Sequence, residues 1–186
     1  MNYNPSKLFI ALAFLVSNNI SAQQEVKVNK DIYFYVVRHA EKDTGKNPGL
    51  LMAGLSRAGD LYRALKDKHI DEIYVTQTKR SMMTADSLRV YRDLKLVIYE
   101  SDTSGHGLMY KMNERNGFQK DLLIIGHSNT IPGIIRSLGI TDFNKVIPDS
   151  EHDKIYIIHE KKGKVTLKTI QYGKPSEKGS DKMKPS

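Results

Sequence analysis

The 186-residue sequence contains no cysteine, and this absence excludes several kinds of protein at once. Without thiols the chain cannot form disulfide bonds, thiolate zinc sites, a cysteine nucleophile or a lipid-modified N-terminal cysteine. Packing alone must therefore stabilise the fold, and any covalent catalysis must use another kind of side chain.

Long apolar runs are also scarce, and the one at the N-terminus, Leu8 to Val16, is too short for a permanent membrane span, which needs about 20 apolar residues. Lys7 precedes this run, and Ile20 to Ala22 ends in the small residues that signal peptidase accepts. We therefore expect residues 1–22 to be a signal peptide cleaved after Ala22. The mature protein would be exported, periplasmic or secreted in a bacterium, with no stable membrane anchor.

Acidic residues are fewer than lysines and arginines, 21 against 29, so that the formal net charge is +8. A basic surface favours anionic partners. Nucleic acid is not expected among them, because the lysines are scattered and we find no helix-turn-helix, RNP-like or aromatic-interleaved basic segment. No feature of the sequence sets the oligomeric state.

Four apolar segments without polar alternation are typical of strands that are buried on both faces. They are Asp31 to Arg38, Glu72 to Thr76, Leu94 to Tyr99 and Asp121 to Gly126. Helical patterns follow them at Ser56 to Lys68 with Ser56 as N-cap, Lys79 to Arg92, Gly107 to Asn116 and Ile131 to Leu138. This alternation predicts an α/β three-layer sandwich, with a mainly parallel central sheet and helices on both faces.

The C-terminal part of the chain has a different pattern. Lys154 to Glu160 and Lys164 to Gln171 flank Lys161-Lys162-Gly163, which predicts a hairpin that adds edge strands. Residues 174–186 have almost no apolar side chains and are predicted to be a disordered tail. We expect one domain over residues 31–173, preceded by a polar lead at residues 23–30.

Cationic and imidazole side chains lie where the predicted parallel strands end. Arg38 and His39 end the first strand, and His127 follows the fourth. Thr76 ends the second strand, and Arg80 opens the helix after it. Because ligands bind beyond the carboxyl ends of parallel strands, these residues are expected to face one crevice. Two guanidinium and two imidazole groups there favour an oxyanion, above all phosphate.

Such a crevice can carry out phosphoryl transfer. A neutral imidazole can attack phosphorus in line and form a phosphohistidine, which water then cleaves. Arg38, Arg80 and the second imidazole would stabilise the equatorial oxygens. This chemistry requires neither a metal nor a cofactor, and its partner would be a small phosphorylated substrate.

Four segments also carry a resemblance to a known family. They are VVRHAEK (Val36 to Lys42), LSRAGDLYRAL (Leu55 to Leu65), IDEIYVTQTKRSMMTADSL (Ile70 to Leu88) and LLIIGHSNTIPGII (Leu122 to Ile135). In this order they resemble the phosphoglycerate mutase-like branch of the histidine phosphatase superfamily, including its small phosphohistidine phosphatase-like members. The resemblance implies a phosphoglycerate mutase-like fold and acid phosphatase-type hydrolysis of phosphomonoesters.

The resemblance also implies roles for individual residues. His39 would be the phosphorylated nucleophile, Arg38 and Arg80 would clamp the phosphoryl group, and His127 would complete the pocket. Thr76 would line the same site as a substrate-binding residue.

The sequence departs from the family pattern in two places. Ala40 follows the nucleophile where classical members have glycine, and residues 97–107 lack the Leu-Arg-Glu type segment that supplies an acidic residue. Glu100 is left as a candidate proton donor, and Asp102 as a candidate donor or substrate contact. Without a strong general acid, good leaving groups are favoured, as in aryl phosphates, phosphoanhydrides and phosphohistidine.

Other functions remain open from the sequence. An exported domain could keep the pocket to bind phosphate or a polyanion without turnover. A mutase-type phosphotransferase is less expected, because no long cap segment encloses the pocket. A metal-dependent hydrolase lacks His-x-His and His-Glu-x-x-His spacings.

A serine hydrolase is a further alternative, with Ser128 in GHSNT as nucleophile, Asp149 as the acid, and His152 or His159 as the base. Without such a triad, His152 and His159 are expected to be structural or exposed, as are His69 and His106.

Overall fold

The computed structural model describes residues 30–176 of the chain. The predicted signal peptide, residues 23–29 of the polar lead and residues 177–186 of the predicted tail lie outside the described residues. Within the described part, no helix has the length and apolar character needed to cross a membrane.

Within residues 30–176, six strands form one mixed sheet in the order β3-β2-β4-β1-β5-β6. They are β1 (Ile32–Arg38), β2 (Glu72–Thr76), β3 (Lys95–Tyr99), β4 (Leu122–Gly126), β5 (Lys154–Lys161) and β6 (Lys164–Gln171). The first four strands are parallel to one another, whereas β5 runs antiparallel to both β1 and β6. The predicted hairpin is therefore present, but of its two strands only β6 lies at an edge, and β5 lies inside the sheet beside β1.

The described part of the chain has four α-helices that cover the sheet: α1 (Met52–Leu65), α2 (Lys79–Arg92), α3 (His106–Glu114) and α4 (Ile131–Ser137). The predicted start of α1 was wrong, because the helix begins one turn before Ser56 and Leu51 occupies the N-cap position. Packing sets this start. A Cβ atom on Gly54 would lie 2.2 Å from the Glu41 carbonyl oxygen, so glycine alone lets the first turn approach that loop.

The core lies on both faces of the sheet. On one face Val36 and Ile124 pack with Met112 of α3 and with other side chains of α3 and α4. On the opposite face Val37 and Ile125 pack with side chains of α1 and α2. Successive residues of β1 and β4 thus enter different core layers, which explains why both segments are apolar without alternation. The predicted three-layer α/β sandwich is confirmed.

The sheet places a crevice between β1 and β4. These strands are parallel neighbours, and Arg38 is paired with Gly126 at their carboxyl ends. The chain leaves β1 toward α1 on one face and leaves β4 toward α4 on the other. A ligand crevice is expected where two neighbouring connections diverge in this way.

Candidate active site

His39 and His127 lie side by side at this crevice. The His39 main-chain N–H donates to the Gly126 carbonyl at 3.0 Å, which extends the β1–β4 ladder by one step. The two imidazole ring centres are 5.2 Å apart, and the ring planes are inclined by 60°. Both side chains are buried, with 3% and 9% of their residue surfaces exposed.

The His39 ring is held in one tautomer. Its Nδ1 lies 2.8 Å from the Ala40 carbonyl oxygen, and a carbonyl can only accept a hydrogen bond. The proton is therefore on Nδ1, and Nε2 carries a lone pair. Burial, reinforced by Arg38, His127 and Arg80, lowers the pKa of His39 to about 3. The imidazole is consequently neutral near pH 7, which is the state required of a nucleophile.

Arg38 already has partners in this structure. Its Nη1 donates to the Pro148 carbonyl at 2.9 Å, and its Nη2 donates to the Asp149 carboxylate at 3.1 Å. Asp149 also accepts a hydrogen bond from the Ser128 hydroxyl at 2.7 Å. A bound anion was expected to be the partner of Arg38. This expectation is incomplete, because the loop before β5 already accepts hydrogen bonds from Nη1 and Nη2.

Arg80 and His127 form the other side of the crevice. Thr76 donates its hydroxyl proton to Ser81 at 2.9 Å, so its contact of 2.9 Å with His127 requires the proton on His127 Nε2. His127 Nδ1 then accepts from Arg80 Nη2 at 3.5 Å. Burial and both arginines lower the pKa of His127 to about 4.

Two buried donors at the crevice have no partner among the described residues. They are the Nε atoms of Arg38 and Arg80. Buried polar groups are normally hydrogen-bonded, so an unpaired guanidinium donor calls for an explanation. An oxyanion in the crevice would accept from both.

Thr84 connects the nucleophile segment with α2. Its hydroxyl accepts from the Ala40 main-chain N–H at 2.9 Å and donates to the Arg80 carbonyl at 2.7 Å. This buried side chain therefore fixes the distance between the residue after His39 and the first turn of α2, where Arg80 lies.

Glu41 and Arg57 form a partly buried ion pair beside the crevice. Arg57 Nε donates to both carboxylate oxygens, at 2.8 and 2.9 Å, and Arg57 Nη1 donates to the Lys174 carbonyl at 3.0 Å. Burial acts to raise the pKa of Glu41, but the hydrogen bonds from Arg57 outweigh it and leave that pKa below its ordinary value. Lys174 and Ser176, predicted to belong to the tail, are thus hydrogen-bonded to the domain.

His152 lies beside His39, although the sequence indicated a structural or exposed role. The two ring centres are 5.8 Å apart, and His152 is buried. His152 lines a cavity of about 500 Å³ together with Glu41, Leu51, Arg57 and Lys174. The antiparallel pairing of β5 with β1 explains this position, because the register that pairs Val37 with Ile155 brings the residues before β5 next to His39.

The serine hydrolase triad is not assembled. Ser128 donates directly to Asp149, and no histidine among the described residues is hydrogen-bonded to it. His152 is turned toward the His39 carbonyl. His159 stacks on Tyr33 within the sheet, with ring centres 4.4 Å apart.

The two candidate proton donors are not brought to His39. Glu100 directly follows β3, which is separated from β1 by β2 and β4, or about 14 Å at the usual strand spacing. The Asp102 carboxylate instead accepts hydrogen bonds at the start of α3, among them the Gly105 and Gly107 main-chain N–H groups at 2.6 and 2.7 Å. Burial acts to raise the pKa of Asp102, but hydrogen bonds from Ser104 and these N–H groups lower it to about 2.

A further group of potential metal ligands lies at the opposite end of the sheet. His69, Asp71 and Asp121 come together where β2 and β4 begin. Their carboxylates already accept main-chain hydrogen bonds, Asp121 from Tyr33 and Asp71 from Asp121, both at 2.8 Å. These hydrogen bonds give the three side chains a structural role, which is to hold the starts of neighbouring strands together.

Comparison with known proteins identifies the fold. No protein-family model matches the chain, and no curated protein matches it. Solved structures do match. The protein histidine phosphatase SixA in complex with tungstate is similar with a TM-score of 0.56 at 15% identity, over 75% of this chain and 97% of SixA. The alpha-ribazole phosphatase from Shigella flexneri has a TM-score of 0.56 at 14% identity, over 75% and 96% of the two chains.

The phosphoglycerate mutase from Bacillus anthracis str. Sterne is similar to the same extent, with a TM-score of 0.55 at 15% identity, over 76% of this chain and 93% of the mutase. These neighbours are members of the histidine phosphatase superfamily. The chain therefore has the phosphoglycerate mutase-like fold, and the resemblance inferred from four sequence segments is confirmed in the fold.

Proposed function

We propose that this protein is a metal-independent phosphatase that works through a phosphohistidine formed on His39. The observation that carries the proposal is the state of the His39 ring. It is buried and neutral, its Nδ1 is hydrogen-bonded to the Ala40 carbonyl, and its Nε2 lone pair is left without a partner among the described residues. His127, Arg38 and Arg80 surround it.

In the first step the Nε2 lone pair attacks phosphorus, and the bond to the leaving oxygen breaks. The leaving group departs with that electron pair, and a phosphohistidine remains on the ring. The Nε atoms of Arg38 and Arg80, which have no partner in the part of the chain that the structure describes, would donate to the equatorial oxygens as their charge changes. A bound dianion would also raise the low pKa of His127 and allow it to donate from Nδ1.

The substrate would carry a good leaving group. Glu100 follows the far strand β3, and the Asp102 carboxylate is occupied by the start of α3, so neither is placed to protonate a leaving oxygen. Aryl phosphates, phosphoanhydrides and phosphohistidine leave without strong acid assistance. The SixA neighbour, named as a protein histidine phosphatase and bound to tungstate, agrees with this class.

The signal-like pattern of residues 1–22 supports an exported location for this activity. The substrate would then be a phosphorylated compound outside the cytoplasm. Detection of mature protein beginning at Gln23 in a periplasmic or culture fraction would test this, and full-length protein confined to the cytoplasm would contradict it.

The test of the proposed function is release of 4-nitrophenol from 4-nitrophenyl phosphate, with and without excess EDTA. Turnover should survive EDTA and should be abolished in His39→Ala, while the control variant His69→Ala, at the opposite end of the sheet, remains active. A phosphorylated substrate labelled with ³²P should leave acid-labile label on His39. Release that persists in His39→Ala contradicts the mechanism. No release by the wild type, with tungstate binding retained, would instead indicate a phosphate-binding domain.

A further inference from the structure

His152 is buried against the nucleophile and is not used in the first chemical step. It precedes β5, whose antiparallel pairing with β1 carries it to the end of β1. Its ring centre is 5.8 Å from that of His39. The loop that leads to it is held by Arg38, which donates to the Pro148 carbonyl and to Asp149. The cation that would bind phosphate thus also fixes the segment that presents His152.

One hydrogen bond orients the His152 ring, and a second one holds its main chain. Its Nδ1 lies 2.8 Å from the His39 carbonyl oxygen, so the proton is on Nδ1 and Nε2 carries a lone pair. Its main-chain N–H donates to the Ser176 hydroxyl at 2.8 Å. Because the Nδ1 edge faces the main chain, the Nε2 edge is the part of the ring left free to contact a water molecule.

The surroundings of His152 suit a proton acceptor. Burial, with Arg38 next, lowers its pKa, so the ring is neutral near pH 7 and its Nε2 can accept a proton. The hydrogen bond to the His39 carbonyl and the charge of Glu41 act in the opposite direction and would stabilise the imidazolium once it forms. Arg57 holds that carboxylate in place and partly offsets its charge.

We propose that His152 is the general base that activates water for hydrolysis of the phosphohistidine on His39. This rests on the proposed function of the site. A water molecule attacks phosphorus on the side opposite His39 Nε2, while His152 Nε2 takes one of its protons. The bond between phosphorus and His39 Nε2 breaks, and its electron pair returns to the His39 ring. The products are hydrogen phosphate, neutral His39 and protonated His152, which then releases its proton to solvent.

The experiment uses His152→Asn. The asparagine side-chain N–H can still donate to the His39 carbonyl, but asparagine has no base. With 4-nitrophenyl phosphate, whose leaving group needs no acid, the first step should remain fast. We expect a burst of one nitrophenol per enzyme molecule, then steady turnover reduced about a hundredfold, which is within the usual contribution of a general base. Phosphohistidine should accumulate on His39. The control His69→Asn should resemble the wild type.

Each outcome decides the matter. If His152→Asn slows the burst and the steady rate equally, or turns over within about threefold of the wild type, His152 only supports His39 and is not the base. The phosphatase function would stand in that case, because it depends on wild-type turnover and its loss in His39→Ala. A wild type without turnover overturns both proposals. Should His152→Asn fail to fold, His152→Gln, which also lacks a base, gives the same comparison.

Discussion

His39 and Arg38 are neighbours in sequence but are held by different parts of the chain. The His39 ring bonds to the next carbonyl, and its main-chain N–H bonds to the end of β4. The Arg38 guanidinium reaches the loop before β5, more than a hundred residues away. Since a buried imidazole and a buried guanidinium are costly without partners, these contacts explain how two such residues can follow an apolar strand directly.

Thr84 should act as a positioning residue for this pair. Thr84→Val removes the acceptor of the Ala40 N–H and leaves that donor buried and unpaired, which costs about 1–3 kcal/mol of stability. It also frees the His39 segment from α2, so kcat/KM for 4-nitrophenyl phosphate should fall by about tenfold or more. Thr84→Ser keeps the hydroxyl and loses only a buried methyl, about 1 kcal/mol. Equal kcat/KM in the two variants, with stability measured by urea unfolding, would contradict the positioning role.

The neutral state of His39 should appear in the pH dependence of stability. The unfolded chain protonates this histidine near pH 6.5, whereas the folded protein does so only near a pKa of about 3. Between these values the unfolded state binds the extra proton, so the free energy of unfolding decreases as pH falls, by about 1.4 kcal/mol per unit.

The variant His39→Asn lacks this proton linkage. From pH 7 to pH 5 it should therefore lose about 2 kcal/mol less stability than the wild type, measured by urea unfolding in phosphate-free buffer. His69→Asn serves as the control for removal of an exposed histidine. Identical pH slopes for wild type and His39→Asn would mean that His39 titrates normally in the folded protein.

The sequence predicted part of this site because strand ends can be recognised. Arg38, His39, Thr76 and His127 each follow or end an apolar segment, and parallel topology brings those ends together. His152 could not be found in the same way. Its place beside His39 depends on the antiparallel pairing of β5 with β1, and a hairpin pattern indicates how two strands pair with each other but not which third strand they join.

The bounds of a helix or strand could be predicted where its apolar pattern determines them. They could not be predicted where contacts with a distant part of the chain determine where the element begins. The strand β2 and the helix α2 have the predicted bounds. The helix α1 does not begin at Ser56, the predicted N-cap, because Gly54 packs in its first turn against the loop after His39. Helix capping is a local signal, whereas the approach of a helix to a distant loop depends on tertiary contacts, and these decide the boundary here.

The ion pair between Glu41 and Arg57 should contribute to the stability of the fold, because it connects separate elements. It joins the loop after β1 to α1, and Arg57 also reaches the main chain after β6. Arg57→Met leaves a partly buried carboxylate unpaired and should cost about 3 kcal/mol, as is usual for a broken buried pair. Combining it with Glu41→Gln should recover part of that loss.

A double-mutant cycle by urea unfolding measures this coupling. The matched control is Arg63→Met, which removes an exposed arginine paired with Asp60 on the same helix and should change stability by less than about 1 kcal/mol. A coupling near zero between positions 41 and 57 would show that the pair contributes little beyond its two separate side chains.

The protein combines a positive net charge with a crevice where two guanidinium donors have no partner within residues 30–176. Charge distributed over the surface attracts anions of every kind and is weakened by salt. Under the proposed function, donors buried at the end of β1 and in the first turn of α2 would instead select a tetrahedral oxyanion. The fold alone does not supply this selectivity, because it depends on Arg38 and Arg80 facing the same crevice.

Binding of a phosphate analogue should therefore stabilise the whole domain. At a tungstate concentration of a hundred times its Kd, mass action adds about 2.7 kcal/mol, which raises Tm by on the order of 5–10 °C for a domain of this size. Arg80→Ala should abolish most of this shift, because it removes one of these crevice donors and the neighbour of His127 Nδ1. Arg63→Ala removes the same charge from the surface of α1 and should leave the shift intact. An equal loss in both variants, measured by thermal unfolding at several salt concentrations, would mean that general surface charge and not the crevice binds the anion.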